Sequence, residues 1–282
     1  MILHLTDLHF GTERPEVAQA LLALAAQCRP GLIVLSGDIT QRARARQFVR
    51  ARAFVQQLCA ASGADAARDV LAVAGNHDVP LGNLALRLFD PYGPYLRHFA
   101  GHFGHGTGSA LAPVIGREGV CLIGVNTTRA WRHKHGQVSA AQVDEVAARL
   151  RAAPAHALKL VVTHQPLHVL EADDTKDLAR GHRAALARWA QAGADLLLAG
   201  HIHQAFVAPV PGGPMWAVQS GTAVSRRTRQ GVPNSVHVIA YQGLPAGQRA
   251  VVQRWDFVAE GAQAGRFAPV ARTVIAQARV SG

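Results

Sequence analysis

Lysine is scarce in this chain. Lys134, Lys159 and Lys176 are its three examples, so arginine carries almost all of the formal charge of +11. A lysine-poor, arginine- and alanine-rich composition follows from a biased genome as readily as from a function. The charge therefore implies no more than a general attraction for anions. Cysteine is equally sparse. Cys28, Cys59 and Cys121 are widely spaced among apolar neighbours, which excludes a disulfide framework and a CxxC metal site and reads as buried, reduced thiols. Aromatic residues make up 6%, and the interleaved basic and aromatic surfaces on which single-stranded nucleic acid stacks are not evident. No apolar run approaches the roughly 18 residues of a membrane-spanning helix. The opening stretch MILHLTDLHF enters a strand pattern without a basic leader or cleavage site. The expectation is a soluble protein of a reducing compartment, most simply the cytoplasm.

What the chain does have is ample apolar content, 49%, enough for a sizeable core. Short apolar runs alternate with longer helical patterns. Strands are expected at 2–5, 32–35, 70–74, 120–125, 158–162, 196–199, 215–218, 236–241 and 250–257, and helices near 15–28, 43–62 and 178–191. Ser139 and Gln142 stand in capping-box spacing before Val143, Val146, Ala147 and Leu150, an amphipathic helix. Strand–helix alternation implies an α/β fold with largely parallel sheets covered by helices. Beyond Gly200 strands follow one another, which predicts an antiparallel extension of the second sheet. Gly101–Gly108, with its four glycines, reads as a flexible loop. The spacing predicts one domain over residues 1–259 and a weakly patterned, peripheral extension over 260–282.

The polar residues fall in a pattern. The strand at 2–5 leads to Asp7 and His9, that at 32–35 to Asp38, and that at 70–74 to Asn76 and His77. The strand at 158–162 leads to His164, and that at 196–199 to His201 and His203. If these strands are parallel, their C-terminal ends bring all these side chains to one rim. Carboxylate, amide and imidazole without thiolate suit manganese, iron, zinc or cobalt. Two carboxylates, one amide and four or five imidazoles exceed the needs of one zinc-like ion and suit two that share a bridge. Two cations roughly 3.5–4 Å apart can clamp a phosphoryl group and stabilise the charge of an in-line displacement. Each fragment alone is commonplace: GD and GNHD are turn formers, and a lone histidine is more often a satisfied core residue. Their joint occurrence in this order is what points to a metal site.

The set DLH (Asp7, His9), GD (Asp38), GNHD (Gly75–Asp78), a strand-end His164 and GHIH (Gly200–His203) resembles the calcineurin-like metallophosphoesterase superfamily over residues 1 to about 205. The resemblance implies a four-layer sandwich of two mixed β-sheets flanked by helices. It implies one metal on Asp7, His9, Asp38 and His203, and a second on Asp38, Asn76, His164 and His201. The ions would be transition metals, such as manganese, iron or zinc. His77 would serve the leaving-group oxygen as general acid or stabilise the transition state, with Asp78 orienting it or closing the turn.

GDITQRA departs from the GDxVDRG of protein phosphatases. Together with IGVNTTRAWRHKHGQVS and SGTAVSRRTRQGVPNSV, GDIT is similar to the class III cyclic nucleotide phosphodiesterase-like branch. That implies a phosphodiesterase of cyclic nucleotides or other small diesters, working as a monomer or homodimer on a small phosphoester. Alternatives are a pyrophosphatase or phosphoesterase of a nucleotide- or lipid-linked substrate, touching a membrane surface at most, and a non-enzymatic scaffold or nucleic-acid binder on the same fold. Arg226, Arg227 and Arg229 read either as a solvated turn or as a clamp for a second anionic part of the substrate. The basic run Arg42–Arg52 reads as a solvated helix face.

Overall fold

The computed structural model describes residues 1–262 and 264–276. Two six-stranded sheets face each other. The first runs β12–β11–β10–β1–β2–β3 and is built from β1 (Ile2–Leu5), β2 (Leu32–Leu35), β3 (Val70–Ala72), β10 (Ser235–Ala240), β11 (Gln248–Val258) and β12 (Arg266–Ala276). The second runs β4–β5–β6–β7–β9–β8, from β4 (Val114–Arg117), β5 (Val120–Gly124), β6 (Leu158–Val162), β7 (Leu196–Ala199), β8 (Phe206–Pro209) and β9 (Trp216–Gln219). In the first, β1, β2 and β3 are parallel. In the second, β5, β6, β7 and β9 are parallel.

Successive side chains of a strand point to opposite faces, so one strand serves two cores. Leu32 and Val34 enter the layer between the sheets, where they meet Leu122, Leu160, Leu198 and Val218. Ile33 and Leu35 enter the opposite layer, against α1 (Pro15–Cys28) and α2 (Ala45–Ser62). The outer face of the second sheet is covered by α5 (Ala140–Ala152) and α6 (His182–Gln191), with Val143, Val146, Ala147 and Leu150 turned inward as their spacing predicts. Ser139 caps α5 by accepting from Gln142 N at 3.3 Å. Helix, sheet, sheet, helix: the four layers are present.

Several expectations need correction. The late strands do not all extend the second sheet. β8 and β9 do, but β10, β11 and β12 join the first, with β10 antiparallel to β1. The crossover between sheets is the segment 220–234, which carries the arginines. Residues 266–276 are not a peripheral tail but a full edge strand, whose Phe267 and Ile275 are buried; 277–282 lie outside the described residues. Between residues 80 and 103 the chain forms the short helices α3 (Leu84–Phe89) and α4 (Gly93–His98). Gly104, Gly106 and Gly108 are closely packed rather than free, since a Cβ on each would meet a backbone carbonyl. Among the described residues no helix is long and apolar enough to cross a membrane.

Candidate metal centre

Each expected donor stands just beyond the C-terminal end of a parallel strand, at the rim where open α/β sheets hold ligands. β1, β2 and β3 deliver Asp7, His9, Asp38 and Asn76 from one sheet; β6 and β7 deliver His164, His201 and His203 from the other. The backbone is strained there. Asp7 (φ 51°), His9 (44°), Asp38 (50°), His201 (78°) and His203 (55°) all adopt the left-handed region, which costs about 1–2 kcal/mol for each non-glycine residue. Outside the rim, Arg29 and Ala43 are the other non-glycine examples among the described residues. Glycine provides the closest approaches. A Cβ on Gly75 would collide with the Asp38 backbone and carboxylate, and one on Gly200 with Thr6 and Asp7.

The donor atoms form two groups. In the first, His203 Nε2 lies 3.1 Å from Asp7 Oδ1 and 3.3 Å from His9 Nε2, and His9 Nε2 lies 3.6 Å from both Asp7 Oδ1 and Asp38 Oδ2. In the second, His164 Nε2 lies 3.3 Å from Asp38 Oδ1 and 3.1 Å from Asn76 Oδ1. Donors held about 2.0–2.2 Å from one ion stand roughly 3.0–3.5 Å from each other. The observed separations fit that spacing. Asp38 presents one oxygen to each group, the disposition of a bridging carboxylate.

Charge supports the same fit. Burial works to raise the carboxyls of Asp7 and Asp38, yet the surrounding imidazoles hold both well below the usual range: His203 foremost for Asp7, His164 foremost for Asp38. Burial likewise works to lower His164, but the Asp38 carboxylate beside it raises it to about 9. A fully buried histidine that retains a proton marks a pocket that draws positive charge, which a cation also supplies.

The expected ligand His201 stands beside the second group, its ring centroid 5.1 Å from that of His164. It lines the same cavity, but its buried Nε2 has no hydrogen-bond partner among the described residues and lies 3.7 Å from Asp177 Oδ1. Asp78 does not touch the His77 ring. Its carboxylate accepts from Ile39 N (3.0 Å), Thr40 N (2.8 Å) and Gly75 N (2.9 Å), bracing the turns that carry Asp38 and Asn76. Burial pushes Asp78 up to about 7, with the Asp38 charge adding to it and those donors opposing.

His77 projects into the cavity with its Nδ1 2.9 Å from Gln41 O and its Nε2 3.0 Å from Arg227 Nη1. A guanidinium can only donate, so Nε2 accepts and Nδ1–H donates. Burial lowers the His77 pKa, and the ring is neutral in this arrangement.

The arginines separate. Arg227 reaches His77. Arg229 pairs with both oxygens of Asp174 at 3.1 and 2.8 Å. Arg226 is exposed and stays outside the cavity lining. The expected three-arginine clamp is therefore two residues with different partners.

The cavity over the donors measures about 500 Å³. Its wall includes residues outside the expected site set. Asp177 pairs with Lys134 at 3.0 Å, and His133 stands edge-on to His77 at 6.3 Å. The signal was the acidic run Asp173, Asp174, Asp177 in the loop after the strand that carries His164, which forms a 3-10 turn over Ala172–Asp177.

A rim of paired donors around a shared carboxylate, on a four-layer sandwich, defines a dinuclear phosphoesterase scaffold. The calcineurin-like phosphoesterase family model matches residues 1–205, and the chain belongs to that family. No curated protein matches it by sequence. Among solved structures it is similar to a dimetal phosphatase from Danio rerio, at 15% identity and TM-score 0.60 over 98% of each chain. It is also similar to purple acid phosphatase PPD1 from yellow lupin (Lupinus luteus), at 11% identity and TM-score 0.64, over 90% of this chain and 51% of that one. A third likeness is to GAP50, the anchor in the inner membrane complex of Plasmodium, at 12% identity and TM-score 0.58, over 99% and 89%. At these identities the likeness is one of fold.

Proposed function

We propose that this chain hydrolyses small phosphodiesters at two transition-metal ions, one held by Asp7, His9, Asp38 and His203, the other by Asp38, Asn76 and His164 with His201 beside them. The observation that carries the reading is Asp38, whose two oxygens face the two donor groups at 3.6 and 3.3 Å. When bound, the ions supply Lewis-acid chemistry, polarising the phosphoryl group and lowering the pKa of water. Oxygen and nitrogen donors without thiolate favour manganese, iron or zinc.

The protein's own residues supply the rest. Arg227 offers a fixed positive donor on the substrate side, where charge develops on the leaving oxygen. His77 steadies that guanidinium through Nε2 and is itself held by Gln41 O. In the arrangement described it acts as an acceptor; it becomes a proton donor only if Arg227 releases Nε2. Asn76 adds a donor without adding negative charge that would repel phosphate.

A diester needs room for an ester arm on each side of phosphorus. The cavity extends on one side toward Lys134, Asp174 and Arg229, and on the other reaches His77, beyond which a second hollow is lined by Leu81 and Gly82. Cyclic nucleotides are the diesters that the GDIT and Ser220–Val236 resemblances favour. Manganese-loaded protein should hydrolyse bis(p-nitrophenyl) phosphate faster than p-nitrophenyl phosphate, and 3′,5′-cyclic AMP measurably. The reverse preference between the two nitrophenyl esters would make the chain a monoesterase.

A further inference from the structure

We infer that the site takes diesters carrying a further phosphate, held in an arginine trough that opens from the metal cavity past His77. The inference rests on the phosphodiesterase reading and names the substrate class of the same site.

Three cavities follow one another through shared wall residues. The metal cavity shares His77 with a second of about 310 Å³, which also touches Gln41, Arg42 and Arg44. Those three residues in turn line a third cavity of about 590 Å³, closed by Arg46, Arg50 and Gln47. Arg50 is paired with Glu13, but Arg42, Arg44 and Arg46 have no carboxylate partner among the described residues. Three like charges around one hollow repel each other, and an anion between them relieves that repulsion. Guanidinium is suited to a phosphate because its planar donors match two oxygens at once.

The backbone adds to the case. The turn between Gln41 and Arg44 passes through Ala43 at φ 49°, a conformation that costs energy in a non-glycine residue and persists where surrounding contacts enforce it. Its amide is fixed by Thr40 Oγ1 at 3.0 Å. Arg44 is the N-cap of the 18-residue helix α2, so the positive end of that helix faces the trough. Gln47 is 6% exposed. Its Oε1 accepts from Arg42 N at 3.0 Å, while its Nε2 donates to no group among the described residues and borders the hollow. Gly11 makes room for that amide, since a Cβ there would strike it. A buried amide with unused donors, beside three unpaired arginines, is a cradle for phosphate oxygens.

The trough lies on the His77 side of the centre, and Gln41, which lines it, holds both His77 and Arg227. The extra phosphate therefore belongs to the arm of the diester that passes His77. A soluble, singly phosphorylated dinucleotide has this form. A 3′,5′-cyclic nucleotide has one phosphate and leaves the trough unfilled.

The test compares kcat/KM for ApA, for its terminally phosphorylated forms pApA and ApAp, and for bis(p-nitrophenyl) phosphate. Wild type and the Arg42→Ala/Arg44→Ala double variant are measured at one salt concentration. Wild type should favour one phosphorylated dinucleotide over ApA by about tenfold to a hundredfold, and the double variant should lose most of that ratio. Calorimetry of adenosine 3′,5′-bisphosphate binding reads the same site without turnover and should weaken by a similar factor in the variant. A ratio near one in wild type, or a ratio the variant keeps, overturns the trough. A preference that keeps growing with oligonucleotide length overturns the small-diester class in favour of nucleic acid. Capture of phosphatidylglycerol vesicles that the variant loses, with no dinucleotide preference, overturns it in favour of a membrane. Failure to hydrolyse bis(p-nitrophenyl) phosphate is the distinct outcome that defeats the phosphodiesterase reading itself.

Discussion

Two sets of buried histidines, one inside the first sheet and one at the rim beyond the strand ends, behave oppositely. Behind the rim, His4 on β1 faces His237 on β10, its Cα partner, with the rings stacked 6.3 Å apart. Ser36 Oγ meets His4 Nε2 at 2.8 Å, and Ser220 Oγ meets His4 Nδ1 at 3.2 Å and His237 Nδ1 at 2.7 Å. Burial lowers His4 to about 3 and His237 well below its usual value. At the rim, His164 is just as buried and is raised to about 9. Hydroxyls surround one group and carboxylates the other. Burial alone does not separate a structural histidine from a candidate ligand. What its nitrogens face does.

The sharpest way to break that contrast is to remove the carboxylate that both donor groups share. Asp38→Ala should lose both ions and all turnover above background, read by metal analysis and by diester hydrolysis. Full metal occupancy in that variant would end the bridging assignment. His77→Ala should keep its metal and lose on the order of 10²–10⁴ in kcat if Arg227 releases Nε2 and the ring serves as general acid, and no more than Arg227→Ala loses if it does not. If metal content falls with it, His77 belongs among the ligands, as its closeness to His9 and Asp38 would then explain. Arg227→Ala should lose roughly tenfold to a hundredfold on large and small diesters alike, because its guanidinium reaches the reacting end. Arg226→Ala, on the exposed side of the same turn, should stay within about twofold.

The inner pair offers the smallest effect and a sign that can be checked. Histidines whose folded pKa lies below the unfolded value of about 6.5 are refused protons by the native state. Stability is then present above pH 6.5 and is lost as pH falls toward the folded pKa, about 3 for His4. His4 should contribute about 2 kcal/mol of that loss between pH 7 and pH 5. Urea unfolding of wild type and His4→Gln at both values measures it. The variant should show a shallower dependence with unaltered metal content, and an unchanged slope would mean that His4 is protonated in place.

The donors were legible in the sequence for a simple reason. A buried parallel strand ends in an unbroken apolar run, so the polar residue after it is conspicuous, and parallel direction brings all such residues to one rim. The cavity wall was not legible in this way. Asp177 and Lys134 come from loops whose mutual positions depend on how the two sheets face each other, and Arg227, marked in the sequence as a candidate clamp, showed its partner His77 only in the fold. Arg42 and Arg44 precede an amphipathic helix, where the pattern of a solvated face and that of an anion trough are identical. The destination of β10, β11 and β12 was hidden for a related reason. Alternating apolar residues define a strand's faces but not its neighbours.

The donors straddle the two sheets. Asp7, His9, Asp38 and Asn76 come from one, and His164, His201 and His203 from the other, with His203 meeting Asp7 and His164 meeting Asp38 across the gap. An ion bound to either group would fasten together stretches of chain nearly two hundred positions apart in the first group, from Asp7 to His203. It would act as a reversible rivet through the sandwich, in a protein whose three cysteines form no covalent one. Ligand that binds only the folded chain adds its binding free energy to folding, about 4 kcal/mol at a thousandfold excess over Kd. Chelation should then do more than stop catalysis: it should loosen the seam between the sheets, and exchange of the buried amides on β1, β2, β6 and β7 should quicken first.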